Sequence, residues 1–381
     1  MKKIKSFILA TLAFTLVAPS FTACSKDDDK KEVINQIVNN IVSEYHYNDS
    51  IVAAQKAKSK KNVAVLLVAF GSTWNNAFLA FDNTKAAYEQ AFPNADVYIS
   101  FSSDICINRA SQGENVDDNN QIVKRDYYEP RYLLHAIGAA KYSKIYIQSL
   151  QVIPGEEFAA VVASVKKFMN NGYIASAHLD DEYLASLEEN KSIFLGMPLL
   201  NDPEKDVPEV AKQLNALYKD EAAQGVVAFM GHGNPDTYDT FKANVRYEQL
   251  EEELQKLSPN YFVGTVDMPD NYKQNVLGRM QKQGINSGKI FLHALMSIAG
   301  DHAHNDMAGE GEEYWNPEEE ESEDNSWFEF FNHKGYTVSV PLSGKHPLGL
   351  LELSGVLNVW VNHTKYAEFL EDAYHSMYPE E

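Results

Sequence analysis

Eight short runs of β-branched and aromatic residues, each followed by a longer amphipathic stretch, constrain the fold class more than any other feature of this chain. They are residues 62–70, 96–101, 144–150, 192–197, 225–230, 261–266, 289–295 and 336–340. Parallel strands need a covering crossover and are buried on both faces, so they read as continuous apolar runs separated by helices. The alternation therefore predicts βα units around parallel sheets.

The eight runs fall into two sets of four that repeat each other. Lys144-Ile145-Tyr146-Ile147-Gln148-Ser149-Leu150 returns as Lys289-Ile290-Phe291-Leu292-His293-Ala294-Leu295. Ile153, Gly155 and Glu156 return as Ile298, Gly300 and Asp301 at the same offset of 145 residues. The first run of each set finishes in Phe70-Gly71-Ser72 or His232-Gly233-Asn234, and the last of each leads into a Pro-Leu pair. Order and spacing repeating together predict a duplicated α/β lobe, each copy a four-stranded parallel sheet flanked by helices, with a cleft between the copies. A length of 381 residues suits two such lobes. The boundary is placed in the polar stretch 201–224, giving a first lobe over 62–210 and a second over 211–381.

The first 24 residues are of another kind. Lys2, Lys3 and Lys5 precede an apolar run over 7–17, and small residues then lead into Cys24. This is the pattern of a secretory signal, too short to span a bilayer about 30 Å thick. Cleavage before Cys24 would leave it first, the position that bacterial lipoproteins acylate, with plain secretion as the alternative. Ser25 resembles a signal for the outer membrane. Asp27-Asp28-Asp29 resembles an acidic surface-export tag, or else is a solvated linker. Residues 25–61 are expected to be a tether. Within it, Val33, Ile34, Ile37, Val38, Ile41 and Val42 predict a spacer helix over 32–45, packing on the body or on a second copy, and 56–61 a basic hinge. With Cys24 acylated, Cys106 alone remains, which excludes an intramolecular disulfide. Cys106 is expected to be a small buried hydrophobe.

A net charge of −21 disfavours nucleic acid as a partner. An acidic surface instead raises the local concentration of metal cations. In parallel sheets ligands collect at the carboxyl ends of strands, where loops vary and helix amino termini point inward. In the second set these ends carry His232, Asp267 and His302, with His304 close by. Two imidazoles and a carboxylate with open positions suit a late first-row divalent ion. Each histidine taken singly is more simply a hydrogen-bonding loop residue; the three together at equivalent strand ends form the candidate site.

Met230-Gly231-His232-Gly233 and Ala299-Gly300-Asp301-His302-Ala303-His304-Asn305-Asp306-Met307-Ala308 resemble the two signature segments of the anaerobic-pathway sirohydrochlorin cobalt chelatases. Phe70-Gly71-Ser72-Thr73, Ile147-Gln148-Ser149-Leu150 and Gly155-Glu156-Glu157 also sit where that family has similar segments, and the likeness spans 62–366. The resemblance implies a chelatase-like fold that inserts a divalent metal into a tetrapyrrole held between the lobes. Co2+ is the expected ion, with Fe2+, Ni2+ and Zn2+ as alternatives. It implies metal binding by His232, His302 and Asp267, which would also be the catalytic set, and tetrapyrrole contacts from Gly71, Ser72, Gln151 and Arg109. Lys124, Arg125 and Arg131 are either further cations for ring carboxylates or, equally, solvated surface charges.

Three departures stand out. Asp267 replaces the family's Glu, so its shorter arm would draw the ion to the loop or admit a water. Gln151 replaces a His, and an amide takes no proton at neutral pH. The insertion 310–324 places nine carboxylates around Tyr314 and Trp315, as a solvated loop or a metal-gathering lip. Export leaves open a second function, a surface protein that binds haem or a corrinoid without turnover, or removes its metal, and passes it to an outer-membrane transporter. A metal-only binding protein is a third, which does not account for two lobes.

Overall fold

The computed structural model describes residues 27–113, 121–173, 177–309, 325–343 and 346–370; the signal segment with Cys24 and the insertion 310–324 lie outside these. The chain divides into two compact units, Met1–Glu44 and Tyr45–Glu381. The expected spacer helix is part of a longer one, α1 (Asp27–Ser59). The helix takes in the first four residues of the expected hinge 56–61 and ends at Ser59, with Lys60 at φ +61°. Lys56 Nζ donates to the carbonyls of Ala140 and Lys141 at 2.7 and 2.8 Å, and Ser59 Oγ donates to Asp96 at 2.7 Å, so these residues are fastened rather than free to bend.

All eight expected strands form: β1 (Val63–Ala69), β2 (Ala95–Phe101), β3 (Lys144–Ser149), β4 (Ile193–Gly196), β5 (Val226–Gly231), β6 (Tyr261–Thr265), β7 (Gly288–Leu295) and β8 (Tyr336–Ser339). Helices α2 (Asn75–Ala91), α3 (Asp104–Gln112), α4 (Pro130–Ala139), α5 (Glu156–Met169), α6 (Asp181–Glu189) and α7 (Asp206–Ala222) alternate with the first four. Helices α8 (Val245–Leu257), α9 (Lys273–Lys282) and α10 (Trp327–His333) do so with the second four. A small hairpin of β9 (Leu342–Ser343) and β10 (His346–Pro347) leads to α11 (Ser354–Lys365) and β11 (Glu368–Phe369).

The first sheet runs β4-β3-β1-β2 and the second β8-β7-β5-β6, each parallel throughout, so the duplication read from sequence extends to strand order. The first sheet gains a fifth strand, β11, antiparallel to β4. Alternate residues of β1 and β5 sort to opposite faces, as a two-residue period requires. Val65 and Leu67 of β1 share one apolar core with Val227 and Phe229 of β5, Val207, Val210 and Leu214 of α7, and Val356 and Trp360 of α11. Leu66 and Val68 instead meet Ile137 of α4 and Val162 of α5, while Ala228 and Met230 meet Val276 of α9 and Phe331 of α10. The polar stretch expected to separate the lobes is thus α7, a helix whose apolar stripe joins the core common to both sheets.

In each sheet the chain order reverses between the first and third strands of the set, β1 and β3 or β5 and β7. The crevice outside the carboxyl ends of such a pair is where open α/β sheets bind ligands.

Candidate functional site

His232 directly follows β5 and His302 lies in the segment after β7, so the two imidazoles flank the reversal point of the second sheet. The backbone brings Asp267 to them. The N–H groups of Val266 and Asp267 donate to the His232 carbonyl at 3.1 and 2.9 Å, which carries β5–β6 pairing past the strand ends. The Asp267 carboxylate consequently lies 3.6 Å from His232 Nε2. Gly233 has φ +77°, and an added Cβ would fall 2.8 Å from the Met268 nitrogen, so only glycine lets this turn close against the Asp267 loop. Gly233→Ala is expected to cost about 1–3 kcal/mol from backbone strain and to lower the melting temperature measured by circular dichroism.

The segment after β7 enters a seven-residue π-helical turn, His302–Ala308, starting from Asp301. Four residues apart on this turn, His302 Nδ1 and Asp306 Oδ2 are 2.6 Å apart. The His232 and His302 rings meet edge to face with centroids 4.8 Å apart. Hydrogen bonding sets their tautomers. His232 Nδ1 faces the Gly233 carbonyl at 2.6 Å and His302 Nδ1 faces a carboxylate, and neither oxygen can donate. Each Nδ1 therefore carries the proton, and each neutral ring presents its lone pair at Nε2, as in carboxylate-oriented metal ligands. Burial pushes the His302 imidazole down, but the hydrogen bond and charge of Asp306, with Asp267 and Asp301, outweigh it and raise its pKa.

His232, Asp267 and His302 are thus neighbours, all open to solvent on one side. They are not closed on one point: among the described residues no group of three His, Cys, Asp or Glu side chains is set to hold a metal ion. Asp306 and His304 lie on the same turn. His304 is held below the usual imidazole range by burial and by neighbouring His346, against the Gly300 carbonyl.

The first lobe meets this site through the ends of its own reversal-point strands. Gly71 has φ +117°, and a Cβ there would strike Phe101 and Cys106, so this glycine has a backbone reason. Ser72 is buried against Gly300. Gln151 is buried; its Oε1 accepts from the Ser149 hydroxyl, and its Nε2 has no hydrogen-bond partner among the described residues. Arg109 lies in the last turn of α3. Cys106, in the first turn of α3, is half-buried rather than fully buried. Burial raises its thiol pKa, with Asp301 and Glu157 of like effect and Arg109 opposing. Arg125 is paired with Asp82 at 3.0 Å and Arg131 with Glu129 at 2.5 Å, so both cations are already engaged by their own lobe.

Glu157 is the residue that sequence reasoning passed over. It lies in the first turn of α5, where burial raises its carboxyl pKa and the charges of His232 and His302 oppose that rise. A first-lobe carboxylate thus senses both second-lobe histidines. Its signal in the sequence is the Gly155-Glu156-Glu157 segment at the start of α5.

A family model described as cobalt chelatase (CbiK) matches residues 63–368. The chain belongs to this family. Among its relatives, a sirohydrochlorin cobaltochelatase CbiKC of Nitratidesulfovibrio vulgaris is 27% identical over 271 residues, 70% of this chain and 82% of the relative. A sirohydrochlorin cobaltochelatase of Salmonella typhimurium is 25% identical over 261 residues, 66% of this chain and 82% of the relative. Among solved structures, SirB from Bacillus subtilis with Fe3+ aligns over 83% of this chain and 97% of its own, with a TM-score of 0.45 and 14% identity.

Proposed function

We propose that this cobalt chelatase family member inserts a divalent metal, Co2+, into a tetrapyrrole of the sirohydrochlorin type held where the carboxyl-end loops of the two sheets meet. One observation carries the reading: two imidazoles, each fixed through Nδ1, stand 4.8 Å apart beside the reversal point of the second sheet. The names of the two relatives support Co2+ and sirohydrochlorin as substrates.

Insertion removes two N–H protons from the macrocycle and exchanges the ligands of the ion for four ring nitrogens. His232 and His302 would hold the ion against one face of the ring, with Asp267 beside them. Exchange then becomes intramolecular. We assign the two protons to Asp267, 3.6 Å from His232, and to Glu157, whose carboxyl feels both histidines. Gln151, standing where the resemblance implies a histidine, favours a second reading in which haem or a corrinoid is bound without turnover or has its metal removed. Purified protein incubated with sirohydrochlorin and Co2+, and separately with haem, distinguishes them by visible spectra. Conversion to the cobalt complex at a rate above that of free Co2+ supports insertion. Tight haem binding without Co2+ insertion into sirohydrochlorin, or conversion of haem to its metal-free spectrum, supports the second reading.

Export as an outer-membrane lipoprotein anchored through Cys24 is proposed on the basic start, the apolar run and the thiol that follows. A palmitate analogue should label wild-type cells and not Cys24→Ala cells. Equal labelling would refute the anchor.

A further inference from the structure

We infer that Trp74 of the first lobe is a positioning residue for His302 of the second, so that the metal-binding loop takes its working geometry only with the lobes engaged. The inference rests on the proposed role of His302. Trp74 lies just before α2, in the loop that leaves β1. Its indole stacks on the His304 ring with centroids 3.7 Å apart and planes 9° from parallel. Its Nε1–H donates to the Asp301 carboxylate. One side chain therefore grips the residue before His302 and the residue two after it, without occupying either nitrogen of His302.

Neighbouring contacts hold the same segment. Asn76 Nδ2 donates to the Ala299 carbonyl at 3.0 Å, and a Cβ on Gly300 would lie 3.3 Å from Ser72 Oγ. On its far side His304 is fixed by Nδ1 to the Gly300 carbonyl at 2.9 Å and by Nε2 to His346 Nδ1 at 3.2 Å. Such support has a physical reason. A π-helical turn is rare and recurs at functional sites. The stacked ring pair and the charge-assisted hydrogen bond supply that support from the opposite lobe. Separation of the lobes would release Asp301 and His304 together and let His302 drift from His232.

The test is Co2+ titration by calorimetry on wild-type protein, Trp74→Ala, Trp74→Phe and His302→Ala, each checked for its fold by circular dichroism. Outer contacts that orient a metal ligand typically contribute about 10- to 100-fold in affinity, and Trp74→Ala is expected to lose that much. Trp74→Phe keeps a stacking ring but no donor, and should lose less. In the sirohydrochlorin assay Trp74→Ala should raise KM for Co2+ and keep kcat near wild type at saturating metal. A general packing defect would not give that split. Wild-type Co2+ affinity in folded Trp74→Ala, with binding abolished in His302→Ala, overturns the positioning role and leaves the site standing. Undiminished binding in His302→Ala overturns the site, and this inference with it. Should Trp74→Ala not fold, Trp74→Phe decides: wild-type affinity refutes the role and a loss supports it.

Discussion

Replacing His232 and His302 together by Ala should abolish Co2+ binding at the site and bring metal insertion down to the rate of free Co2+, with the fold retained. The two side chains are 45% and 31% exposed, so truncation empties little buried volume. Surface changes of this kind usually stay within about 0.5 kcal/mol of wild type. The Asp306 left behind is 40% exposed and can be hydrated, which avoids the penalty of a buried unpaired charge. Binding should also depend on pH with a definite sign. A ligand histidine must give up its proton, and the His302 pKa lies above the usual imidazole value. Co2+ affinity in the wild type is therefore expected to fall as pH drops through that raised pKa, and to level off above it. Calorimetry of the double variant and of the wild type across pH checks both. Undiminished one-site binding in the double variant would refute the assignment.

Much of the architecture was legible because its causes are local. Strands buried on both faces are built mostly of apolar residues, so the strands read as apolar runs even with the buried Ser100, Gln148 and Ser149 among them, and a duplication repeats spacing as well as composition. Legibility failed where burial involves only part of a segment. The residues of α7 look polar on average, but Val207, Val210, Ala211 and Leu214 recur at the three-and-four spacing of one buried stripe. β11 contributes two residues to a sheet whose preceding strand in the chain, β4, ends at Gly196, a long-range pairing without a local signature. The site divides in the same way. His232, Asp267 and His302 could be placed together because strand-end loops of one parallel sheet are neighbours. Asp306 lay within reach of the same logic, one helical turn beyond His302. Trp74 and Glu157 did not, because their position at the histidines depends on how one lobe docks on the other.

That docking leads to the other large expected effect: Glu157→Gln should slow metal insertion by about 10²-fold or more while Co2+ still binds. Two protons must leave the ring for each ion inserted, and general bases in such steps typically contribute about 10² to 10⁴ in rate. Gln151 takes none, and the Nε2 lone pairs of His232 and His302 are committed to the ion in the proposed complex. Burial makes Glu157 a stronger base than an ordinary carboxylate, the nearby imidazoles only partly offsetting this. It must be ionised to act, so the wild-type rate should climb as pH rises through its raised pKa, and this limb should vanish in Glu157→Gln. Adding Gln151→His to that variant supplies an imidazole at the end of β3 and should recover part of the rate, with a new limb in the histidine range. The measurement is kcat against pH at saturating Co2+ for the wild type and both variants. If Glu157→Gln keeps both the rate and the carboxylate limb, Glu157 is not the acceptor, and Asp267, 3.6 Å from His232, is the next to replace, with Asp306 already engaged by His302.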